Sequence, residues 1–241
     1  MIKVVAFDLD DTLFNGTLLV EKARRSAVEM MIEFGLPIDL EAGLKILNEV
    51  VEEFGSNSES HLDNMLIRLQ KDPKYNLNPS FNINKYVAAG IMGYHREKVK
   101  HFKPFRDVGE TIKKLRDKGI KTAIVTDGTP KKQYEKILRL KVENLFDEII
   151  ISDEVAIRKP NPLLFQLFCT ELGCSPSEAI YVGDRLDKDI EPAMQAGLYA
   201  VLIHRGTKHD PNINKIKSVL KPHFHINSLH ELFAIIEKIN S

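Results

Sequence analysis

Five short apolar runs constrain the fold of this chain more than any other feature of its sequence. They are rich in Val, Ile and Ala, and apolar and polar residues do not strictly alternate in them. This pattern is typical of strands that are buried on both faces of a parallel sheet. The runs are Lys3–Phe7, Thr122–Val125, Ile149–Ile151, Ala179–Val182 and Tyr199–Ile203.

Segments with helical character separate the later runs. Pro130–Leu140 begins with a proline, which is favoured in a first helical turn, and its spacing predicts an apolar face of Tyr134, Ile137 and Leu138. Strands that alternate with helices indicate an α/β fold with a doubly wound parallel sheet. The other predicted helices are Asp107–Lys118, Pro162–Leu172 and Asp189–Ala196, each followed by a glycine that can end it.

A long helical stretch interrupts this alternation. Residues 16–100 contain no strand-like run but several amphipathic stripes, such as Leu62, Met65, Leu66 and Leu69. Because the first strand precedes this stretch and the others follow it, we expect a helical cap at 16–100. It is inserted into an α/β core formed by 1–15 and 101–241. An insert with two linkers beside a strand end is well placed to act as a lid over a substrate.

The overall charge of the chain limits its partners. Its 34 Lys and Arg balance 34 Asp and Glu, so nothing draws it as a whole to nucleic acid or to an anionic membrane. No stretch approaches the roughly 20 apolar residues of a membrane span, and the N-terminal run is too short for a signal peptide. We therefore expect a soluble, cytoplasmic protein with a small-molecule partner. No pattern in the sequence indicates an oligomeric state.

Charged and hydroxyl side chains follow the first four runs. Because the carboxyl ends of parallel strands meet at one edge of a sheet, where ligands bind in such folds, we expect these side chains to converge. They are Asp8 and Asp10 after the first run, Thr126, Asp127 and Gly128 after the second, Lys159 after the third, and Asp184 and Asp189 after the fourth.

This set of residue types suits phosphoryl transfer. Carboxylates about 4 Å apart repel by roughly 4 kcal/mol per pair at an effective dielectric near 20, so the group should bind a cation or shift its pKa values. Mg²⁺ is the natural occupant, since it prefers oxygen ligands and accepts a phosphate oxygen. A hydroxyl, turn N–H groups and a lysine could hold the other phosphate oxygens. We therefore expect a small phosphorylated metabolite as the substrate.

The strand-end residues resemble the four motifs of the haloacid dehalogenase superfamily. The likeness spans nearly the whole chain, and the helical insert directly after the first motif resembles the phosphoglycolate-phosphatase-like branch, which has a helical cap. The matched motifs, in order, are Asp8-x-Asp10-x-Thr12, Thr126, Lys159-Pro160 and Gly183-Asp184-x-x-x-x-Asp189.

The resemblance implies a role for each catalytic residue. Asp8 would attack phosphorus and carry the phosphoryl group, while Asp10 would protonate the leaving alcohol and later deprotonate the attacking water. Thr126 would bind a phosphate oxygen beside the N–H groups of the Asp127–Gly128 turn. Lys159 would neutralise both the nucleophile and the phosphoryl group. The implied enzyme is a phosphoric monoester hydrolase.

The resemblance also implies a magnesium site. Mg²⁺ would be held by Asp8, by the main-chain carbonyl of Asp10 and by Asp184. Asp189 would orient the groups around the ion, or the lysine, rather than bind the metal. One residue departs from the family pattern, because Asp127 stands where Asn or Ser is usual. We expect its carboxylate to point away from the phosphate, for example to cap the helix that begins at Pro130.

Other functions fit the same fold. A phosphomutase or phosphotransferase would differ by protecting the aspartyl phosphate from water. A dehalogenase is disfavoured by Asp10, since its ester intermediate needs no acid for an alcohol leaving group. A phosphonatase would need a Schiff-base lysine in the cap, for which Lys22 is a candidate. A non-catalytic phosphate-binding protein is disfavoured because it has no use for Asp10 as an acid and base.

Overall fold

The computed structural model describes residues 1–55, 58–75, 77–78, 81–207 and 221–241. Six strands in these residues form one sheet, and every pair of neighbours in it is parallel. The strands are β1 (Val4–Phe7), β2 (Lys121–Thr126), β3 (Glu148–Ile151), β4 (Ala179–Gly183), β5 (Tyr199–Ile203) and β6 (Phe224–Ile226).

The strand order is β3-β2-β1-β4-β5-β6. β1 is central, and its residue Val4 lies opposite Lys121 on one side and Ala179 on the other. Along the chain, the strands β1, β2 and β3 follow one another toward one edge of the sheet, and β4, β5 and β6 then follow one another toward the other edge. The carboxyl ends of β1 and β4 lie where this direction reverses, which is the usual ligand site of such sheets.

The helices follow the order of the sequence. In the part of the chain that the structure describes, none of them has both the length and the apolar character needed to span a bilayer. They are α1 (Gly16–Glu33), α2 (Leu40–Phe54), α3 (His61–Lys71), α4 (Ile83–His101), α5 (Val108–Asp117), α6 (Pro130–Leu140), α7 (Ser152–Val155), α8 (Pro162–Leu172), α9 (Glu191–Gln195) and α10 (Leu232–Asn240).

The chain divides into two compact units. The α/β unit comprises Met1–Thr17 and Lys103–Ser241, and the helical unit comprises Leu18–Phe102. In the α/β unit, Phe165 of α8 packs edge-on against Tyr181 of β4, with ring centroids 4.8 Å apart. That the helical unit serves as a substrate lid stays a prediction.

Small residues allow close helix packing in the helical unit. A Cβ atom on Gly93 of α4 would lie 2.2 Å from the carbonyl oxygen of Ser26 in α1. This distance is far inside van der Waals contact, so only glycine permits the two backbones to approach so closely. Around this contact the unit buries an apolar core that includes Met31, Leu47 and Met65.

The predicted α/β fold with a parallel sheet is confirmed, and α6 and α8 begin and end where the sequence predicts. The predicted apolar face of α6 is wrong for two of its three residues, because Tyr134 and Leu138 are 38% and 57% exposed. The buried face instead carries Gln133, Ile137 and Leu140. These positions are four and three residues apart, which places them on one side of a helix.

The segment after β4 also differs from the prediction of a helix over Asp189–Ala196. A π-helical turn, Leu186–Ile190, precedes the shorter helix α9. Pro192 lies in the first turn of α9 and has no N–H to continue a hydrogen-bond ladder from the preceding turn. In the π turn the N–H of Ile190 donates to the carbonyl of Arg185, five residues earlier, at 3.1 Å.

Candidate active site

A buried lysine lies at the centre of the strand-end residues. Lys159 is 4% exposed, and its Nζ donates to Asp8 Oδ1 at 2.5 Å, to the Tyr181 hydroxyl oxygen at 2.6 Å and to Asp189 Oδ1 at 2.7 Å. An ammonium group has three protons, so these three acceptors use all of them. The side chain is therefore held in one position, with its charge directed at Asp8.

Three buried carboxyl groups surround this one lysine. Asp8, Asp184 and Asp189 each place one carboxylate oxygen within 4.8 Å of the others. Within the described residues, Asp184 Oδ2 is buried and has no hydrogen-bond partner. A surplus of negative charge together with an unused carboxylate oxygen is what a hard, oxygen-ligated cation requires. The residues present therefore fit a Mg²⁺ ion.

The pKa values of the buried site residues reflect this surplus of negative charge. Burial raises the pKa of Asp8 to about 7, against the opposing effect of Lys159. Burial and the charges of Asp8 and Asp189 raise the pKa of Asp184 to about 9. Burial lowers the pKa of Lys159, but Asp189 and Asp8 outweigh it and hold that pKa above its ordinary value. Without a further cation, the cluster therefore tends to retain protons.

Asp10 lies outside this buried group but close to it. Its carboxylate is 39% exposed, and its Oδ2 accepts a hydrogen bond from Lys136 Nζ of α6 at 2.6 Å. Its charge is close enough to contribute to the raised pKa of Asp8. A carboxylate beside Asp8 and accessible from solvent fits the predicted role of Asp10 as the proton donor for a leaving group. The sequence did not indicate Lys136.

The residues after β2 form a hydrogen-bonded turn. Thr126 is 1% exposed, and its Oγ1 accepts a hydrogen bond from Gln133 Nε2 at 2.6 Å. The N–H of Gly128 donates to Ser152 Oγ at 3.0 Å. This N–H is therefore already used inside the protein, and a phosphate contact of Gly128 stays a prediction.

Asp127 has a different role from the one suggested by the sequence. Its Oδ1 accepts a hydrogen bond from the N–H of Lys159 at 3.0 Å. The suggested cap of α6 is wrong, because Thr129 occupies the N-cap position of that helix. The acidic residue that departs from the family pattern thus fixes the main chain of the lysine.

Sequence reasoning missed two further buried partners. Tyr181 lies within the apolar run of β4, where an aromatic residue normally indicates packing alone. Gln133 carried a usable signal, because it is a polar residue four positions before Ile137 on the same helix face.

A second buried ion pair fixes the loop that follows Asp8. Arg205 donates from Nε and Nη2 to the carbonyl oxygen of Thr12 at 3.1 and 3.0 Å, and binds both oxygens of Asp107 at 2.8 and 3.1 Å. Asp107 also accepts from the Leu229 N–H at 2.8 Å and the Ser228 hydroxyl at 3.1 Å. Although burial opposes ionisation, these donors hold the pKa of Asp107 below its ordinary value.

The sequence matches a known family of enzymes. The family model described as haloacid dehalogenase-like hydrolase matches residues 5–203. The chain belongs to this family. This match confirms the predicted family. Together with the relatives described next, it also confirms the predicted class of enzyme, a phosphatase.

Two curated relatives match along their whole length. The glyceraldehyde 3-phosphate phosphatase of Methanopyrus kandleri is 42% identical over 241 residues, and that of Methanocaldococcus jannaschii is 37% identical over 241 residues. In both cases the match covers 99% of this chain and 99% of the relative.

A solved structure shows the same fold at low identity. The hydrolase YfnB of Bacillus subtilis, solved bound to magnesium, is 19% identical, with a TM-score of 0.67 and 98% of each chain covered. The roles of the individual site residues stay predictions.

Proposed function

We propose that this chain hydrolyses glyceraldehyde 3-phosphate, or a phosphomonoester of similar size, with Mg²⁺ and through an aspartyl phosphate on Asp8. The observation that carries the mechanism is the 2.5 Å contact between Lys159 Nζ and Asp8 Oδ1 inside a buried acidic cluster. The relatives from Methanopyrus kandleri and Methanocaldococcus jannaschii, which match over 99% of this chain, support the substrate.

The first step transfers the phosphoryl group to Asp8. Because Lys159 holds Oδ1, the other carboxylate oxygen, Oδ2, is the one that attacks phosphorus. The new bond joins this oxygen to phosphorus, and the bond from phosphorus to the substrate alcohol breaks. Asp10 gives its proton to the departing alkoxide, and the Thr126 hydroxyl donates to a phosphoryl oxygen.

The second step hydrolyses the aspartyl phosphate. Asp10, now ionised, removes a proton from water as the water attacks phosphorus, and the Asp8 carboxylate leaves. Lys159 balances the negative charge that returns to Asp8. Splitting the reaction in this way lets one acidic residue act as acid and then as base.

Asp8 and Asp184 would hold the metal ion, and the main-chain carbonyl of Asp10 remains a predicted third ligand. When bound, Mg²⁺ supplies positive charge that neutralises the carboxylates and the phosphate oxygens. Asp189 holds Lys159 and also accepts the N–H of Arg185 at 3.1 Å, so its oxygens are already used. This agrees with a role in orienting the lysine.

The proposal is tested by phosphate release from a panel of substrates. The panel contains glyceraldehyde 3-phosphate, other triose phosphates, glycolate phosphate, sugar phosphates and nucleoside monophosphates, each with Mg²⁺ and with EDTA. We expect the highest kcat/KM for glyceraldehyde 3-phosphate and no turnover in EDTA. A clear preference for a sugar phosphate or a nucleotide would overturn the proposed substrate.

The nucleophile is tested separately. Asp8→Asn should abolish turnover, whereas Asp117→Asn, an exposed residue at the end of α5, should not change it. Acid quenching of the wild type with radiolabelled substrate should leave label on the peptide that contains Asp8. Label on another peptide, or turnover of Asp8→Asn equal to wild type, would contradict the assignment.

A further inference from the structure

We infer that Gln133 is a positioning residue that fixes the direction of the Thr126 hydroxyl proton, so that this hydroxyl donates to the phosphoryl group. The inference rests on the proposed function, since it concerns how the same site recognises phosphate. Gln133 lies on α6 and is 2% exposed.

The geometry decides which way the Gln133 amide points. Its nitrogen, Nε2, lies 2.9 Å from the carbonyl oxygen of Asp127 and 2.6 Å from Thr126 Oγ1. A carbonyl oxygen can only accept a hydrogen bond, so the atom facing Asp127 must be the amide nitrogen. The same NH₂ group then has its second proton directed at Thr126. Gln133 therefore donates to the threonine hydroxyl.

This donation determines what Thr126 can do. A hydroxyl has one proton and two lone pairs, and Gln133 occupies one lone pair. The Thr126 proton cannot point back at an N–H donor, so it is directed toward another acceptor. Phosphoryl oxygens are acceptors only. A buried hydroxyl whose proton is already directed outward binds them without reorganisation, which favours transition-state stabilisation.

Burying the amide of Gln133 would cost free energy if the amide made no hydrogen bonds. The other buried residues of α6 are Ile137 and Leu140, so an apolar side chain would suit this face. A buried primary amide is tolerated only when it is hydrogen-bonded. A Cβ atom on Gly128 would lie 3.2 Å from Gln133 Cδ, so the amide also packs directly under the turn. The experiment must therefore separate support of the turn from control of the hydroxyl.

Two substitutions at Gln133 make this separation. Gln133→Met keeps the shape and removes the donor, whereas Gln133→Glu places an acceptor at the same site. We expect Gln133→Met to lower kcat/KM about tenfold, and Gln133→Glu to lower it about 100-fold, because the new carboxylate would draw the Thr126 proton away from the substrate. The matched controls are Gln166→Met and Gln166→Glu on the exposed face of α8, which should leave kcat/KM unchanged.

A double-mutant cycle shows whether Gln133 acts through Thr126. Thr126→Val removes the hydroxyl and keeps the branched shape. If Gln133 acts through that hydroxyl, Gln133→Met should change kcat/KM less than about twofold in the Thr126→Val background. A tenfold loss in both backgrounds would show that Gln133 only supports the turn, and would overturn the inference.

Binding of inorganic phosphate provides a readout that does not depend on turnover. With Mg²⁺ present, phosphate should raise the Tm of the wild type and of the Gln166 variants, and Gln133→Glu should lose this shift. Equal shifts in Gln133→Glu and Gln166→Glu would refute the role of Gln133. A wild type that neither binds phosphate nor hydrolyses any substrate of the panel would instead refute the proposed function.

Discussion

Two buried ion-pair groups in the α/β unit differ in their balance of charge. Around Lys159, three carboxyl groups face one cation, and Asp184 Oδ2 has no partner within the described residues. Around Arg205, one guanidinium faces one carboxylate, Asp107, and both oxygens of that carboxylate accept hydrogen bonds.

The difference in charge balance is reflected in the pKa values of the acidic residues. The pKa of Asp8 is raised to about 7 and that of Asp184 to about 9, while the pKa of Asp107 is lowered. A balanced buried pair stabilises one conformation. An unbalanced cluster of buried carboxyl groups destabilises the metal-free protein, and a bound cation would offset that cost.

The largest expected effect is on catalysis at the unbalanced cluster. Lys159→Met should lower kcat/KM on the order of 10⁴-fold, because it removes the charge that neutralises Asp8 and the phosphoryl group. Arg205→Met should lower kcat/KM far less, since in the loop after Asp8 Arg205 binds only the main-chain carbonyl of Thr12. Steady-state phosphate release, with thermal unfolding as a check on folding, measures both. Equal losses in the two variants would remove the functional distinction between the groups.

The balanced pair should dominate stability. Asp107→Ala should lower the free energy of unfolding by about 3–5 kcal/mol, because it leaves the buried Arg205 charge without a partner. Urea unfolding with Mg²⁺ present measures the loss, and Asp117→Ala on the surface of α5 serves as the control. A loss no larger than that of the control would show that the pair contributes nothing to the fold.

The two groups should respond to pH with opposite signs. Asp8 and Asp184 have pKa values that are raised in the folded state, so the metal-free protein should lose stability as pH rises from about 4 to about 9. Asp107 has a lowered pKa, so its contribution is present at neutral pH and is lost only as pH falls through that pKa. Urea unfolding in EDTA at several pH values tests the sign.

Adding Mg²⁺ should flatten this pH dependence, because the ion replaces the retained protons. Stability in EDTA that instead rises with pH across this range would contradict the raised pKa values.

The smallest expected effect is a gain in stability. In EDTA at neutral pH, Asp184→Asn should raise the free energy of unfolding by about 1 kcal/mol, since Asp184 must take up a proton on folding to avoid a third buried carboxylate and Asn need not. The same variant should lose the Tm increase that Mg²⁺ gives the wild type. Destabilisation in EDTA would mean that Asp184 is already compensated within the protein.

Much of the α/β fold could be predicted, because its central strands are buried on both faces. All residues of β1 and β4 are buried, so each strand shows in the sequence as a continuous apolar run. The sequence of β6 shows no such apolar run, so this strand was not predicted. It is an edge strand of three residues in which His225 is exposed, and a short half-exposed strand resembles a loop in sequence.

The site was predictable where its residues lie at or near strand ends. Asp8 and Asp184 directly follow β1 and β4, and Lys159 lies in the segment after β3; they gather because parallel strands end at the same edge, and their chemistry is distinctive. Their supporting contacts come from other parts of the chain. Lys136 reaches Asp10 across 126 positions, and a sequence holds no local record of such a contact.

The central place of β1 in the sheet has a consequence for synthesis. The two strands that flank it begin at Lys121 and Ala179, so both leave the ribosome after the whole helical unit. Contacts so distant along the chain form slowly, and an apolar strand without neighbours is prone to aggregate. Until those partners emerge, the apolar segment that leads to Asp8 has no strand to pair with.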